Sequence, residues 1–464
     1  MVPMQPLVPG GIRIPPRLRS LVGPGIPVLA SLTVAVMLGA SCGSPTPSRP
    51  DIVLVVIDTL RPDHLPFYAY AQNTAPFLST LAARGVVFER VHSTSSWTAP
   101  ATASILTSLY PIQHGVHTGF VATQALQRID PQITLDRIPA EVTTVAEMLK
   151  EAGYSTWAVS DNINVSRAQG FDQGFDHFRE FVDRGGQTVN AAVKEWAARL
   201  QREKPYFLYL HYMDPHRPYR QHPPWYRPGE SELLDSQSAY DSEIHYVDQC
   251  IAELSRLLRW DRPTLLLVTS DHGEEFLEHG GWDHGRTLYG EVLNVPLLAF
   301  WSGVERMASA AQTGASAPRR VLQRVSTLDI LPTLREAAGL PPAPQIQGLS
   351  LLTVIRGQGL PPEGRELFAE LRSAPWFGSR TLKAVIRGND KYVLTLPDSE
   401  EFFDLAGDPR EQRSLAGEPD ARLAELRSHL ERFEAECPRF AVDSVRATLD
   451  PQMIEKLKSL GYVK

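Results

Sequence analysis

DIVLVVID (51–58) is an unbroken apolar run rich in Val and Ile. A strand with no polar alternation has to be buried on both faces, which requires a sheet lying between two layers. Further strand candidates follow at GVVFERVH (85–92), STWAVS (155–160), PYFLYLHY (205–212), PTLLLVTS (263–270) and VPLLAFW (295–301). Helical spacing separates them at 75–85, 143–154, 188–202 and 239–260. This alternation predicts an α/β fold whose sheet is covered by helices on both faces. After about residue 362 the texture changes to LFAELR, TLKAVIRG, KYVLTL and EFFDL, with a tight turn at Gly388-Asn389-Asp390 and a helix over 419–433. The expected division is therefore a large α/β domain over 51–362 and a smaller α+β subdomain with a short antiparallel sheet and tail over 363–464.

The first 42 residues do not read as part of this fold. Arg13, Arg17 and Arg19 precede the apolar run IPVLASLTVAVMLGAS, which ends at Cys42. A basic start, a short apolar core and small residues before a cysteine form the plan of a bacterial lipoprotein export signal. A retained membrane anchor is the alternative, and the two readings agree that the rest of the chain is exported. The expectation is a signal over 1–42 and a Pro-rich tether over 43–50. The protein would then be periplasmic or at the cell surface, touching the membrane only through its N-terminal anchor. With 464 residues, 43% hydrophobic and a net charge of −7, the chain offers no basic patch for nucleic acid. Cys250 sits in an apolar helical pattern and is expected to be a buried free thiol. Its pairing with Cys437 is left open.

In open α/β sheets, ligands gather at the carboxyl ends of strands. The first strand ends at Asp58-Thr59, and the strand over 263–270 runs into Asp271-His272-Gly273-Glu274. The strand over 205–212 leads through HYMDPH to His216. An Asp–His couple offers adjacent oxygen and nitrogen donors that suit a divalent metal. In the loop EEFLEHGGWDHGRTLYGE, His284 is the residue expected to face substrate, while His279 is expected at the surface. His92, His114 and His117 are expected to be structural or solvent-exposed. In SSWTAPATASILTSLYPIQHGV (95–116), Thr98 precedes a helical pattern with Pro100 in its first turn. On that segment alone, Thr98 reads as a helix N-cap.

Four blocks taken together resemble the sulfatase family, within the alkaline phosphatase superfamily. They are VLVVIDTLRPDHL, SSWTAPATASILTSLYPIQHGV, LHYMDPHRPY and VTSDHGEEFLEHGGWDHGRTLYGE, in the family's order. VSTLDILPTLREAAGL, EFFDLAGDPREQRSLAG and the closing LKSLGYVK extend the likeness from about residue 50 to the end. The resemblance implies an alkaline-phosphatase-like three-layer α/β/α sandwich. It also implies a metal set of Asp58, Thr98, Asp271 and His272, with catalytic roles for Thr98, His216 and His284. In sulfatases, a Cys or Ser in a C-x-P-x-R box is oxidised to formylglycine. The box here is Thr98-Ala99-Pro100-Ala101-Thr102, and the methyl on the Thr98 Cβ prevents that oxidation from giving the aldehyde. No formylglycine is expected; instead, the Thr98 hydroxyl would be the metal-activated nucleophile, as in the threonine-dependent transferases of the superfamily.

An imidazole at 272 and the loss of an acid at Thr59 favour zinc or manganese as the divalent ion over calcium, which is still allowed. There is room for a second ion near His216 and His284. The family's lysine-tryptophan-histidine block is missing, and 158–178 occupies its place. Three functions are compatible with this pattern. The first is a metal-dependent hydrolase of a sulfate or phosphate-type ester on a small molecule, glycan or lipid. The second is a phosphoethanolamine- or phosphoglycerol-type transferase, and the third a catalytically inactive binding protein of the same fold.

Overall fold

The computed structural model describes residues 49–445 except 129, 131, 261–262, 303–318, 375–376 and 442. The expected signal with Cys42, all but the last two residues of the tether, and the chain from 446 lie outside the described residues. The strands in chain order begin with β1 (Asp51–Ile57), β2 (Val86–His92), β3 (Leu135–Arg137), β4 (Ser155–Ser160), β5 (His177–Glu180) and β6 (Tyr206–Tyr212). Next come β7 (Thr264–Thr269), β8 (Glu275–Phe276), β9 (Trp282–Asp283), β10 (Asn294–Ser302) and β11 (Arg319–Ser326). The last group is β12 (Glu366–Arg372), β13 (Thr381–Arg387), β14 (Asp390–Thr395), β15 (Ser399–Asp404) and β16 (Asp443–Val445).

Eight of these form one sheet in the order β11-β2-β10-β7-β1-β6-β4-β5. β10 runs antiparallel to both its neighbours, and every other pairing is parallel. The alternation of side chains along β1 separates two cores. Ile52, Leu54 and Val56 pack with Ala103, Leu106, Leu149 and Leu334 from helices on one face. Val53, Val55 and Ile57 pack with Leu78, Val193, Ile244 and Ile251 from helices on the other. This is the three-layer α/β/α sandwich that the unbroken apolar strands require.

Both strands that the sequence pattern did not indicate, β5 and β11, are the outermost strands of the sheet. HFRE and RRVLQRVS are rich in charged residues because an edge strand is only partly covered, so periodicity does not single them out. The C-terminal strands form a second, antiparallel sheet in the order β12-β13-β14-β15. Val385, Tyr392 and Phe402 on one face bury Leu423, Leu426 and Leu430 of the helix Ala421–Glu436. Ala384, Val393 and Phe403 on the other face pack against Leu288 and Leu293 of the main body. Cys250 is a buried free thiol, and Cys437 is also free.

His279 is not the surface residue its position suggested. Its ring stacks on Tyr289 at 3.7 Å between centroids. Nδ1 lies 2.7 Å from Glu291 Oε1, and Nε2 lies 3.0 Å from the Glu411 carbonyl oxygen. Nε2 also lies 3.3 Å from the Gln412 amide nitrogen, but as the imidazolium the ring donates to both the Glu291 carboxylate and the Glu411 carbonyl. Burial acts to lower its pKa, but the Glu291 carboxylate outweighs burial and pushes it up to about 9. Glu411 is itself held by the fully buried Lys391 at 2.6 Å, and the Lys391 ammonium also donates to the Leu288 carbonyl. This chain of charges ties the loop carrying β8 and β9 to the C-terminal sheet. His92, His114 and His117 are all buried.

A group whose folded pKa lies above its unfolded value contributes its full stability below the unfolded pKa and loses it as pH rises through the folded pKa. The stability difference between wild type and His279→Gln should therefore be largest below about pH 6.5. It should shrink towards zero as pH rises through about 9, the folded value. Thermal melts of both proteins across that range check the sign.

Candidate active site

Four successive strands of the sheet, β7-β1-β6-β4, deliver side chains to one point at their carboxyl ends. Asp271 and His272 follow β7, Asp58 follows β1, His211 is the penultimate residue of β6, and Asn162 lies two residues beyond β4. Donor atoms of Asp58, His211 and Asp271 all lie within 4.8 Å of one another and are fully buried.

The two carboxylates are half satisfied in the same way. Asp58 Oδ2 accepts from the Asn162 amide and from His211 Nε2 at 3.4 Å. Asp271 Oδ1 accepts from the His272 backbone N–H at 3.0 Å. The other two oxygens, Asp58 Oδ1 and Asp271 Oδ2, are buried with no hydrogen-bond partner among the described residues. His272 Nε2 lies 3.6 Å from each of these orphaned oxygens. Burial and the neighbouring Asp58 charge push the Asp271 carboxyl well above the usual carboxylate range. Burial acts the same way on Asp58, but the His211 hydrogen bond and the fields of His216 and His272 hold it low. Two buried oxygens without partners, an imidazole nitrogen between them and a like-charge conflict together form a donor set that fits a divalent cation.

The tautomer of His272 follows from its other nitrogen. Nδ1 lies 2.9 Å from the Gly273 carbonyl oxygen, which can only accept, so Nδ1 carries the proton and Nε2 presents its lone pair. Burial, reinforced by His284, lowers the His272 pKa to about 3, so the ring stays neutral. Thr98 Oγ1 lies 3.2 Å from that Nε2. Thr98 is not the N-cap that the segment alone suggested. It is the first residue of the wholly buried helix Thr98–Thr107, whose N-cap is Trp97 with no side-chain capping bond. The hydroxyl is turned out of the helix and into the cluster. The expected metal set of Asp58, Thr98, Asp271 and His272 thus meets at one place.

His284 and His216 complete the rim. The His284 ring lies 4.3 Å from that of His272 and 5.0 Å from that of His216. His284 Nδ1 donates to the fully buried Glu274 carboxylate at 2.9 Å, and Glu274 also accepts from the Tyr219 hydroxyl at 3.0 Å. Burial alone would lower the His284 pKa, but Glu274 more than offsets it, so the shift is upward. His216 Nδ1 lies 2.5 Å from the Arg217 carbonyl oxygen. No third metal donor joins His216 and His284 at ligand spacing among the described residues. Gly285 takes a left-handed φ of 73° with Trp97 packed where a Cβ would stand, so only glycine lets His284 approach the helix Thr98–Thr107 this closely. The buried Arg61 donates to the Glu274 carbonyl at 2.8 Å and to Glu278 at 2.6 Å, joining the end of β1 to the same loop.

His211 and Asn162 are further residues of the site that the sequence pattern does not single out. His211 is on the strand itself, not just beyond its end. The available signal was one ionisable residue in the otherwise apolar and aromatic run YFLYLHY. Asn162 did obey the strand-end rule, but it lay in the block 158–178 that was noted only for what it replaced.

The family model described as Sulfatase matches residues 50–340. The choline-sulfatase of Rhizobium meliloti (strain 1021) is 24% identical over 449 residues, covering 81% of this chain and 84% of that protein. The multifunctional alkaline phosphatase superfamily protein PehA of Trinickia caryophylli is 24% identical over 491 residues, covering 80% of this chain and 92% of its own length. Among solved structures, the phosphonate monoester hydrolase of Agrobacterium radiobacter aligns with a TM-score of 0.64 at 19% identity. That alignment covers 83% of this chain and 95% of the other.

Asp271→Asn removes one of two opposed charges while keeping the oxygen that accepts from His272. The metal-free variant should melt at or above metal-free wild type. Zinc or manganese at a hundredfold excess over Kd should stabilise wild type by about 2.7 kcal/mol and the variant by far less. Scanning calorimetry with and without metal distinguishes these outcomes, and equal stabilisation of the two proteins would contradict the cation site.

Proposed function

The chain belongs to the sulfatase family, and from that premise we propose that it hydrolyses a sulfate or phosphate-type ester with Thr98 as nucleophile. The observation that carries this reading is the Thr98 hydroxyl 3.2 Å from His272 Nε2, itself 3.6 Å from the two orphaned carboxylate oxygens. Asp58, Asp271, His272 and His211 would hold a divalent ion, with zinc or manganese favoured by the two imidazoles. Such an ion lowers the pKa of a neighbouring hydroxyl and offsets charge on the non-bridging oxygens of the transferred group.

Thr98 Oγ, its proton released to solvent, forms a bond to sulfur or phosphorus as the bond to the leaving oxygen breaks on the opposite side. The imidazolium of His284, held in place by Glu274, gives its Nε2 proton to that departing oxygen. His284 is then neutral and takes a proton from the water that attacks the Thr98 ester, which releases sulfate or phosphate and the Thr98 alkoxide, and the alkoxide regains its proton from solvent. One residue thus serves as acid and then as base. His216, beside His284, would contact the leaving-group oxygen. Relatives that include a choline-sulfatase, together with a fold shared with a phosphonate monoester hydrolase, support a search among sulfate, phosphate and phosphonate esters. Export with a lipid anchor on Cys42 belongs to the same proposal, since ester substrates of this class lie outside the cytoplasm for an exported enzyme.

Thr98→Ala should lower kcat by at least about 10³-fold on whichever of these esters wild type cleaves, without changing the melting temperature of the metal-loaded protein by more than a few degrees. His284→Gln should cost about 10²–10⁴-fold, with a smaller loss on substrates whose leaving group needs no proton. Parallel assays on aryl sulfates with leaving groups of graded acidity test both, and full activity in Thr98→Ala would remove the mechanism. Cys42→Ala should move the protein from the membrane to the soluble fraction after cell breakage.

A further inference from the structure

A second polar site is built where β2 and β11 meet the C-terminal sheet. Arg90 and Arg324 stand directly opposite each other in the parallel β2–β11 pairing. Like charges in that relation repel, so a sheet normally offsets them with a carboxylate. Here none pairs with either arginine among the described residues. Both line a cavity of about 310 Å³ whose acidic residues are already engaged. Asp63 pairs with Arg61, Glu89 with Arg320, and Glu411 with Lys391. Two guanidinium groups without an ion-pair partner among the described residues therefore stand at one wall of the cavity.

The same cavity contains an orphaned donor. His92 is 4% exposed, and its Nε2 lies 2.7 Å from Arg324 Nη1. A guanidinium only donates, so Nε2 accepts and the proton sits on Nδ1. Burial, reinforced by Arg324, Lys391 and Arg90, holds the ring neutral. His92 Nδ1–H is then a buried donor with no acceptor among the described residues. Two guanidinium groups and a buried N–H beside a cavity whose three carboxylates already hold cations suit an anion with several acceptor oxygens. Arg324 is meanwhile pinned by its Nε to the Gly388 carbonyl, so its position is set before any ligand arrives.

We propose that Arg90, Arg324 and His92 form a non-catalytic binding site for a tetrahedral oxyanion, a sulfate or phosphate group. The group comes either as the free ion or as a substituent on a polymer. His92 ends the strand from which the chain runs through Ser93 to Thr98, and the Ser93 hydroxyl donates to the Asp271 carbonyl. The anion site therefore adjoins the segment that positions the nucleophile.

Calorimetric titration of the full-length, metal-loaded protein with sodium sulfate and with sodium phosphate, at constant ionic strength, tests this. The active site is common to all variants, so only the difference between proteins counts. Arg90→Gln and Arg324→Gln should each lose one binding event or weaken it at least tenfold. Arg90 makes only a 3.5 Å contact with Asn389, so Arg90→Gln carries the test if Arg324→Gln fails to fold. In sulfate-free buffer Arg90→Gln should melt no lower than wild type because a repulsion is relieved, yet it should gain less than wild type when sulfate is added. A purely structural role for Arg90 would not reverse order with the anion. Dextran sulfate that binds at least tenfold tighter per sulfate than the free ion, and loses that advantage in Arg90→Gln, identifies a polymer substituent. Equal affinity identifies the free ion. Unchanged sulfate and phosphate binding in both variants overturns the proposal.

Discussion

Asp58 and Asp271 stand at the ends of adjacent parallel strands, and complete burial leaves them no water to share their charge. Two unit charges 4 Å apart interact by about 4 kcal/mol even at an effective dielectric of 20. A fold that accepted such a pair without compensation would discard a sizeable part of its net stability. The neighbouring groups show how the pair is accommodated. The Asn162 amide and the His272 backbone N–H each tie down one oxygen of a different carboxylate, and the remaining two oxygens are turned towards the same imidazole nitrogen. Among the described residues, those two oxygens have no hydrogen-bond donor of their own. The pocket is charged so that something brought from outside completes it, and Thr98 is placed at its edge.

With Thr98 as the proposed nucleophile, the second half of the reaction is cleavage of a threonine ester by water at sulfur or phosphorus. That step needs a base on the side from which the leaving group departed. The Glu274–His284 pair meets the requirement, because a carboxylate that raises the pKa of the imidazole makes it a better base once its proton has gone. Under the proposed mechanism, threonine at position 98 and the buried carboxylate behind His284 serve the same reaction.

The sheet and the carboxyl-end residues of β1 and β7 were legible in the sequence because both follow from local pattern. Runs without polar alternation identify doubly buried strands, and a carboxylate just beyond such a run lies at the rim by topology alone. What was not legible depends on strand order. The sequence does not state that β6 lies beside β1 or that β4 lies next to β6, so His211 and Asn162 had no visible relation to Asp58. The edge strands β5 and β11 were hidden for a different reason, since partial exposure removes the periodicity that marks the central ones. Thr98 misled in a third way. Hydroxyls before a helix usually cap it, and only the tertiary position of His272 shows that this one turns outward instead.

Among the described residues, the C-terminal sheet supplies none of those that surround Asp58 and Thr98, yet the site depends on it. His284 is carried on a loop with little regular structure beyond the two-residue strands β8 and β9, and such a loop cannot by itself hold an imidazole to a fraction of an ångström. It is fixed from two sides. Arg61 binds it to the end of β1 through Glu274 and Glu278, while Lys391, Glu411, His279 and Glu291 bind it to β14 and the turn beyond β15. Lys391 is fully buried in a sheet whose other face is covered by the helix Ala421–Glu436, so moving the lysine means moving that packed layer. A substitution on the far face of the C-terminal sheet therefore reaches His284 through rigid packing and two buried ion pairs. Because each such pair is costly to open once buried, the loop either stays in register or leaves altogether. The subdomain belongs to the candidate site by position, as the wall against which His284 is set.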